Sequence, residues 1–202
     1  MLTPTLETAV ILRGGDHVHT EHLFEEACAE YPLGKVEQQA NGDVILMAPT
    51  GIESSDQNAE IVMQLRQWAK KDGRGRVFES NALYIFPDKS KKGPDASWVH
   101  RDKILALSRR ERTTFPRLVP DFVIELKSRS DRLSDLQEKM KDYGRLGVAL
   151  GWLIDPETRQ VLVYSDPSGT AVVFDHPDVV HGAGPVAGFA LEMADIWIGL
   201  DF

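Results

Sequence analysis

The chain has 202 residues, of which 42% are hydrophobic and 27% charged. That is the make-up of one folded domain, which holds about 100–200 residues, and it excludes a disordered chain, a collagen-like repeat and a disulfide scaffold. The net charge of −8 argues against a broad nucleic-acid coat protein, yet it is unevenly spread: residues 60–150 carry +7 and the remainder −15.

A basic middle between acidic ends fits either a polyanion partner or a solvated helix surface. The lone Cys28 cannot form an internal bridge, which points to a reducing compartment. No apolar run approaches the roughly 18–20 residues of a membrane-spanning helix. Residues 1–15 lack a basic segment followed by an apolar stretch, so no signal peptide is expected and the protein is expected to be cytoplasmic.

In chain order, residues 20–30 read as a short helix that ends at Tyr31-Pro32. Residues 35–39 and 43–47 flank Ala40-Asn41-Gly42, a hairpin signal near the N-terminus. A helix follows, capped by Ser54 or Ser55, with Ala59, Val62, Met63, Leu65, Trp68 and Ala69 on an apolar stripe. Residues 76–86 read as one or two strand pieces, 87–93 as a polar, lysine-bearing turn, and 94–99 as a short strand. Residues 101–112 are a charged helical stretch broken near Ser108. Residues 122–126 are apolar and partly β-branched, as a buried strand would be. A second clear helix spans 131–146 and is stopped by Gly147. Strands at 150–154, 160–164 and 171–174 complete an α/β (α+β) pattern, a sheet with helices packed on it.

Chemistry concentrates at three places: Pro94-Asp95, Glu125-Leu126-Lys127, and Glu60 on the first clear helix. Strand side chains alternate faces, so Glu125 and Lys127 point the same way. Asp95 would sit beside Glu125 if the two strands pair. Two carboxylates at one point repel, and Mg²⁺, which takes about six oxygen ligands and keeps several waters, resolves that repulsion. The Leu126 backbone carbonyl is a further candidate ligand. The competing reading is that Glu-x-Lys is a surface ion pair and Pro-Asp a turn.

Pro94-Asp95 followed by Glu125-Leu126-Lys127 is similar to the signature of the PD-(D/E)XK nuclease superfamily. More specifically, the chain resembles the Uma family of restriction-endonuclease-like proteins. The resemblance lies in Ala48-Pro49-Thr50-Gly51, Asn58-Ala59-Glu60, Gly93-Pro94-Asp95-Ala96-Ser97-Trp98-Val99, Pro120-Asp121-Phe122-Val123-Ile124-Glu125, Ser130-Asp131, Leu136-Gln137-Glu138-Lys139-Met140 and Gly151-Trp152-Leu153-Ile154-Asp155-Pro156. It implies a single restriction-endonuclease-like domain over 1–202, with a core of about 34–165 between N- and C-terminal extensions. It implies a central mixed sheet flanked by helices and a Mg²⁺ or Mn²⁺ site at Asp95 and Glu125. Lys127 would be the catalytic lysine and Glu60 the helix acid that completes such sites. Where a family member lacks the strand lysine, a helix lysine can substitute; Lys139 occupies that position here, with Gln137 beside it. Family members often carry His after Pro-Thr-Gly, where this chain has Ser54.

Lys89, Lys91 and Lys92 precede Asp95, and Arg66, Lys70, Lys71, Arg74 and Arg76 cluster at the end of the first clear helix. If they face the same cleft, they hold a DNA backbone. Asp121 reads as structural, His17, His19 and His22 as surface residues, Trp98 and Trp152 as core, and Cys28 as lacking a base partner. The expected activity is metal-dependent hydrolysis of DNA phosphodiester bonds by an activated water. The alternative is a non-catalytic binding or assembly protein on the same scaffold. Nucleases that cut both strands often act as dimers, so a second copy of the chain joins DNA as an expected partner.

Overall fold

The chain builds two main sheets, and residues 93–95, with Asp95 last, carry it from one to the other. The computed structural model describes residues 9–14, 17–165 and 169–201. The leader reading over residues 1–8 and the side chains of His17 and His19 lie outside the described residues.

The first sheet is built from β1 (Val10–Leu12), β2 (Lys35–Gln38), β3 (Val44–Met47), β5 (Tyr84–Ile85) and β6 (Lys91–Lys92), in the order β1-β3-β2-β6-β5. The expected hairpin is its centre: β2 and β3 pair antiparallel, and Gly42 takes the positive φ of 88° that its turn requires. Helix α1 (His17–Glu30) packs on this sheet through Phe24 and Ala27.

The second sheet has the order β11-β10-β9-β8-β7-β4, built from β4 (Gly75–Glu79), β7 (Ala96–His100), β8 (Phe122–Leu126), β9 (Leu150–Asp155), β10 (Gln160–Tyr164) and β11 (Ala171–Asp175). It is mixed. β8 and β9 run parallel, because α4 (Leu133–Arg145) carries the chain back between them, and its other pairs are antiparallel. Its two faces are both apolar, which is why the central strands read as continuous hydrophobic runs. Trp98, Phe122, Ile124 and Trp152 face Ile61, Leu65 and Ala69 of α2 (Ile52–Asp72). Val99, Val123 and Leu153 face Met140 and Tyr143 of α4. Alternation along the strands sorts the two sets.

Three details differ from the sequence reading. Helix α2 starts at Ile52 behind Gly51, with no side-chain cap, so neither Ser54 nor Ser55 caps it; both lie inside the first turn. Residues 87–93 are not wholly a turn, since Lys91 and Lys92 form β6. Beyond residue 175 the chain adds β12 (Val179–His181), β13 (Ala190–Glu192) and α5 (Ala194–Ile198), which close over α2. Gln57 anchors that layer by donating to the Ile196 carbonyl at 2.8 Å. The short helix α3 (Arg101–Ala106) and a single 3-10 turn at Glu111–Thr113 account for the broken helical stretch. Among the described residues, no helix is long and apolar enough to cross a membrane.

Gly75 pairs with His100, and a Cβ there would meet the indole ring of Trp98, its diagonal neighbour on β7, and lie 2.5 Å from the Val99 carbonyl oxygen. Gly151 is crowded chiefly by the mobile end of Met140, with Val123 at 3.4 Å. Gly75→Ala should therefore cost about 3 kcal/mol and Gly151→Ala about 1 kcal/mol in urea unfolding. Equal midpoint shifts would show that the Trp98 contact is not the tighter one.

Candidate functional site

The β7–β8 ladder pairs Ala96 with Ile124, so one step further the register sets Asp95 opposite Glu125. The Leu126 N–H donates to Asp95 Oδ2 at 2.9 Å, and Lys35 Nζ donates to Oδ1 at 3.0 Å. Asn58 of α2 donates its side-chain N–H to the Asp95 carbonyl at 3.4 Å. Glu125 Oε1 lies 2.9 Å from Lys139 Nζ and accepts the Tyr143 hydroxyl at 2.8 Å. Lys139 and Tyr143 are four apart on α4 and therefore share a face. The same Lys139 ammonium donates to Glu37 Oε1 at 2.9 Å, which also accepts the Gly93 N–H at 2.9 Å. Three carboxylates and two ammoniums thus gather between the two sheets and α4, as an Asp95–Lys35 pair beside a Glu37–Lys139–Glu125 chain.

The electrostatics follow from burial and sharing. Burial alone would raise the Asp95 carboxyl, but Lys35, Lys139 and the Leu126 N–H hold it below the usual range. Burial likewise works against ionised Glu37, and Lys139 and Lys35 overcome it, so this carboxyl too is low. Glu125 is the odd member. Burial pushes it up to about 7; Lys139 opposes the rise and Asp95 adds to it. One ammonium serves both Glu37 and Glu125, and Glu37 has the additional backbone donor, so the proton settles on Glu125. Burial would lower Lys35 and Lys139, but the carboxylates around each hold them charged. Burial and the neighbouring Glu125 raise the Tyr143 hydroxyl well above its usual value, so it remains a donor.

The expected residues divide. Asp95, Glu125 and Lys139 come together. Lys127 lies past the end of β8, and its ammonium goes to Glu157 at 2.9 Å and Asp155 at 3.7 Å. Glu60 accepts from Gln64 at 2.8 Å. Two residues along a helix turn the side chain by about 200°, so the α2 side chain that reaches Asp95 is Asn58, not Glu60. Leu126 contributes its N–H to Asp95. Gln137 is half-buried on α4 beside Glu138. Of the expected DNA contacts, Lys89 is exposed, but Lys91 and Lys92 are buried. Lys91 donates to Gln38 and lies over Phe24, while Lys92 holds Asp142 of α4 at 3.3 Å. Arg74 is paired with Asp72 and lies 6.0 Å over Trp98.

Sequence reasoning missed Lys35, Glu37, Asn58 and Tyr143. The one available signal was the alternation in β2: Lys35 and Glu37 share a strand face, as Glu125 and Lys127 do.

Among the described residues, no three His, Cys, Asp or Glu side chains converge as a metal cage. Asp95 and Glu125 instead offer two hard oxygen donors, and Asn58 Oδ1 is buried beside them with no partner. A pair of carboxylates completed by water is how Mg²⁺ is commonly held, so the residues fit a hydrated divalent cation.

Glu125 binds its proton more tightly folded, at about 7, than unfolded, at about 4.3. Between those values the folded chain holds the extra proton, so this group removes stability as pH rises. Glu125→Gln should therefore gain on wild type between about pH 4.5 and 7, on the order of 3 kcal/mol in urea unfolding without metal. A difference that is flat with pH would refute the raised value. Asp95 and Glu37 act oppositely and in a separate window: their lowered values give stability that is lost as pH falls below about 4. Lys139→Met strands two buried carboxylates, and should cost about 3–5 kcal/mol at pH 8, with a smaller penalty at pH 5.

Comparison with known proteins bears on the family and the fold. The family model described as "Putative restriction endonuclease", Uma2, matches residues 22–194. A crystal structure from Anabaena variabilis ATCC 29413, described as a putative nuclease belonging to DUF820, superposes with a TM-score of 0.67 at 24% identity, over 80% of this chain and 89% of that one. No curated protein matches the chain. The fold is thus that of a solved nuclease-like protein, and the chain belongs to the Uma2 family of restriction-endonuclease-like proteins.

Proposed function

We propose that the chain is a divalent-metal-dependent DNA endonuclease that hydrolyses phosphodiester bonds, with Asp95 and Glu125 holding Mg²⁺ or Mn²⁺. The observation that carries this reading is the β7–β8 register, which sets the two carboxylates opposite each other with a lysine ammonium 2.9 Å from one of them. When bound, the cation supplies positive charge to a phosphate oxygen and lowers the pKa of a nearby water. Asp95 stays ionised through Lys35 and the Leu126 N–H, and Lys139 keeps positive charge where the pentavalent phosphorus would gather negative charge. Tyr143 fixes the Glu125 carboxyl in place.

In this reading Lys139 takes the lysine role that the sequence pattern offered to Lys127, because its ammonium touches the carboxylate and that of Lys127 is spent on Asp155 and Glu157. Asn58 stands where the resemblance put Glu60.

One observation favours the alternative of a non-catalytic scaffold protein: both Asp95 oxygens already have protein partners, Lys35 and Leu126. Calorimetry with Mn²⁺ followed by plasmid nicking in the same buffer separates the two. Wild type should bind and nick. Asp95→Asn, which keeps the shape and spares Lys35 an empty partner site, should lose both, with nicking down at least about 100-fold. Lys127→Met should lose much less nicking than Lys139→Arg. Absence of Mn²⁺ binding in folded wild type would favour the scaffold protein, and unchanged nicking by Asp95→Asn would remove the site assignment.

A further inference from the structure

The cations at the acidic site are all engaged: Lys35 and Lys139 by its carboxylates, Lys127 by Asp155 and Glu157, and Arg129 by Glu53 at 3.5 Å. Unpaired positive charge lies elsewhere. At the β4 edge of the six-stranded sheet, α2 and β4 enclose a groove of about 380 Å³ lined by Arg66, Ala69, Lys70, Gly75, Arg76 and Val77. Its three cations are exposed, and among the described residues no carboxylate pairs with any of them. The nearby acids are committed: Asp72 to Arg74, and Asp102 beside His100 at 3.6 Å.

Folding alone does not account for this arrangement. Lys70 suits the last turn of α2, where a cation complements the helix dipole. Arg66 and Lys70 are four apart, a like-charge spacing that weakens a helix, and Arg76 adds a third like charge across the groove. The remaining lining is Ala69, Val77 and Gly75. Such a surface carries a small like-charge penalty by itself, which a polyanion relieves.

We propose that this groove is a second contact for the sugar-phosphate backbone of duplex DNA, separate from the acidic site. The choice of DNA rests on the nuclease reading above. The choice of a duplex rests on the lining: it offers cations for phosphates and has no aromatic face on which unpaired bases would stack. The placement sets a length. Gly75 pairs with His100 at one end of the β4–β7 ladder, and Asp95 lies just past the other end. Five residues of strand span about 17 Å, the rise of about five base pairs. A substrate that touches both places is a polymer, and a dinucleotide reaches only one.

The test compares two triple variants of equal net charge. Arg66→Gln/Lys70→Gln/Arg76→Gln empties the groove; Lys141→Gln/Arg145→Gln/Arg159→Gln removes three cations from α4 and the turn between β9 and β10. Binding of a duplex of about 20 base pairs is followed by fluorescence anisotropy in EDTA across a salt series, with circular dichroism and Tm as fold controls. Because no metal or cutting is involved, the result stands apart from the nuclease reading, which Asp95→Asn tests. The groove variant should bind at least tenfold more weakly, with the slope of log affinity against log salt shallower by about 2–3, while the control stays near wild type. Equal losses in both variants assign binding to net charge and overturn the proposal. So does tighter binding of duplex RNA, or of single strands, than of duplex DNA. A wild type that nicks but shows no groove-dependent binding overturns the groove alone; groove-dependent binding by a chain that never nicks upholds the groove and removes the nuclease.

Discussion

The Lys139 ammonium lies 2.9 Å from a carboxylate of each sheet, Glu37 on β2 and Glu125 on β8. Both carboxylates are about 2% exposed, so neither could remain in that position as an anion without a cation beside it. The lysine is delivered by α4, the crossover that makes β8 and β9 parallel, and the same helix presents Asp142 to Lys92 of β6. One helix therefore ties the sheets together with paired charge at two points. Buried ion pairs of this kind contribute little net stability, because desolvation offsets attraction. Their effect here is to fix the relative position of β2, β8 and α4, which apolar packing alone would leave adjustable.

That joint has an electrostatic consequence. Three carboxylates share two ammoniums, and the group with the poorest supply of donors must take a proton. Asp95 has Lys35 and a backbone N–H; Glu37 has Lys139 and a backbone N–H; Glu125 shares Lys139 and has Tyr143. A hydroxyl donor stabilises an anion less than an ammonium held alone would. Glu125 therefore lies near neutrality in its titration while its neighbours are fully ionised. In the proposed site, a cation held by Asp95 and Glu125 would take the place of that proton and supply the positive charge that Glu125 lacks.

What the sequence disclosed followed from how local each signal was. The Asn-Gly hairpin, the buried runs of β8 and β9 and the Gly147 stop depend on neighbouring residues, and all appear; the stripe of α2 appears in part, since Leu65 and Ala69 are buried but Ala59 and Met63 are exposed, and Gln57 and Ile61 complete the buried face. Asp95 and Glu125 were legible because strand pairing by register needs only two segments. The partners that set their charge were not, since Lys35 and Glu37 arrive from another sheet and no spacing connects them to residue 125. The partners of Lys127 were not legible for a related reason. Alternation places it on the Glu125 side, but one residue past the strand its long side chain reaches Asp155 at the end of β9 instead. Lys91 and Lys92 read as a solvated turn because nothing local shows that β6 is covered on both sides. Helical geometry puts Asn58 toward Asp95 and turns Glu60 to Gln64.

The same sorting governs the basic residues. A lysine close to the carboxylates is drawn into ion pairs, so it keeps the site in shape and has little charge left for a long polyanion. Cations free to meet phosphate must lie where no acid competes, and Arg66, Lys70 and Arg76 satisfy that at the far end of the sheet. The charge asymmetry between the basic middle and the acidic ends is therefore not one feature but two. Part of it neutralises buried carboxylates, and part of it remains as field outside the molecule. Only the second part can attract a partner, and a sheet about five residues long separates it from the first.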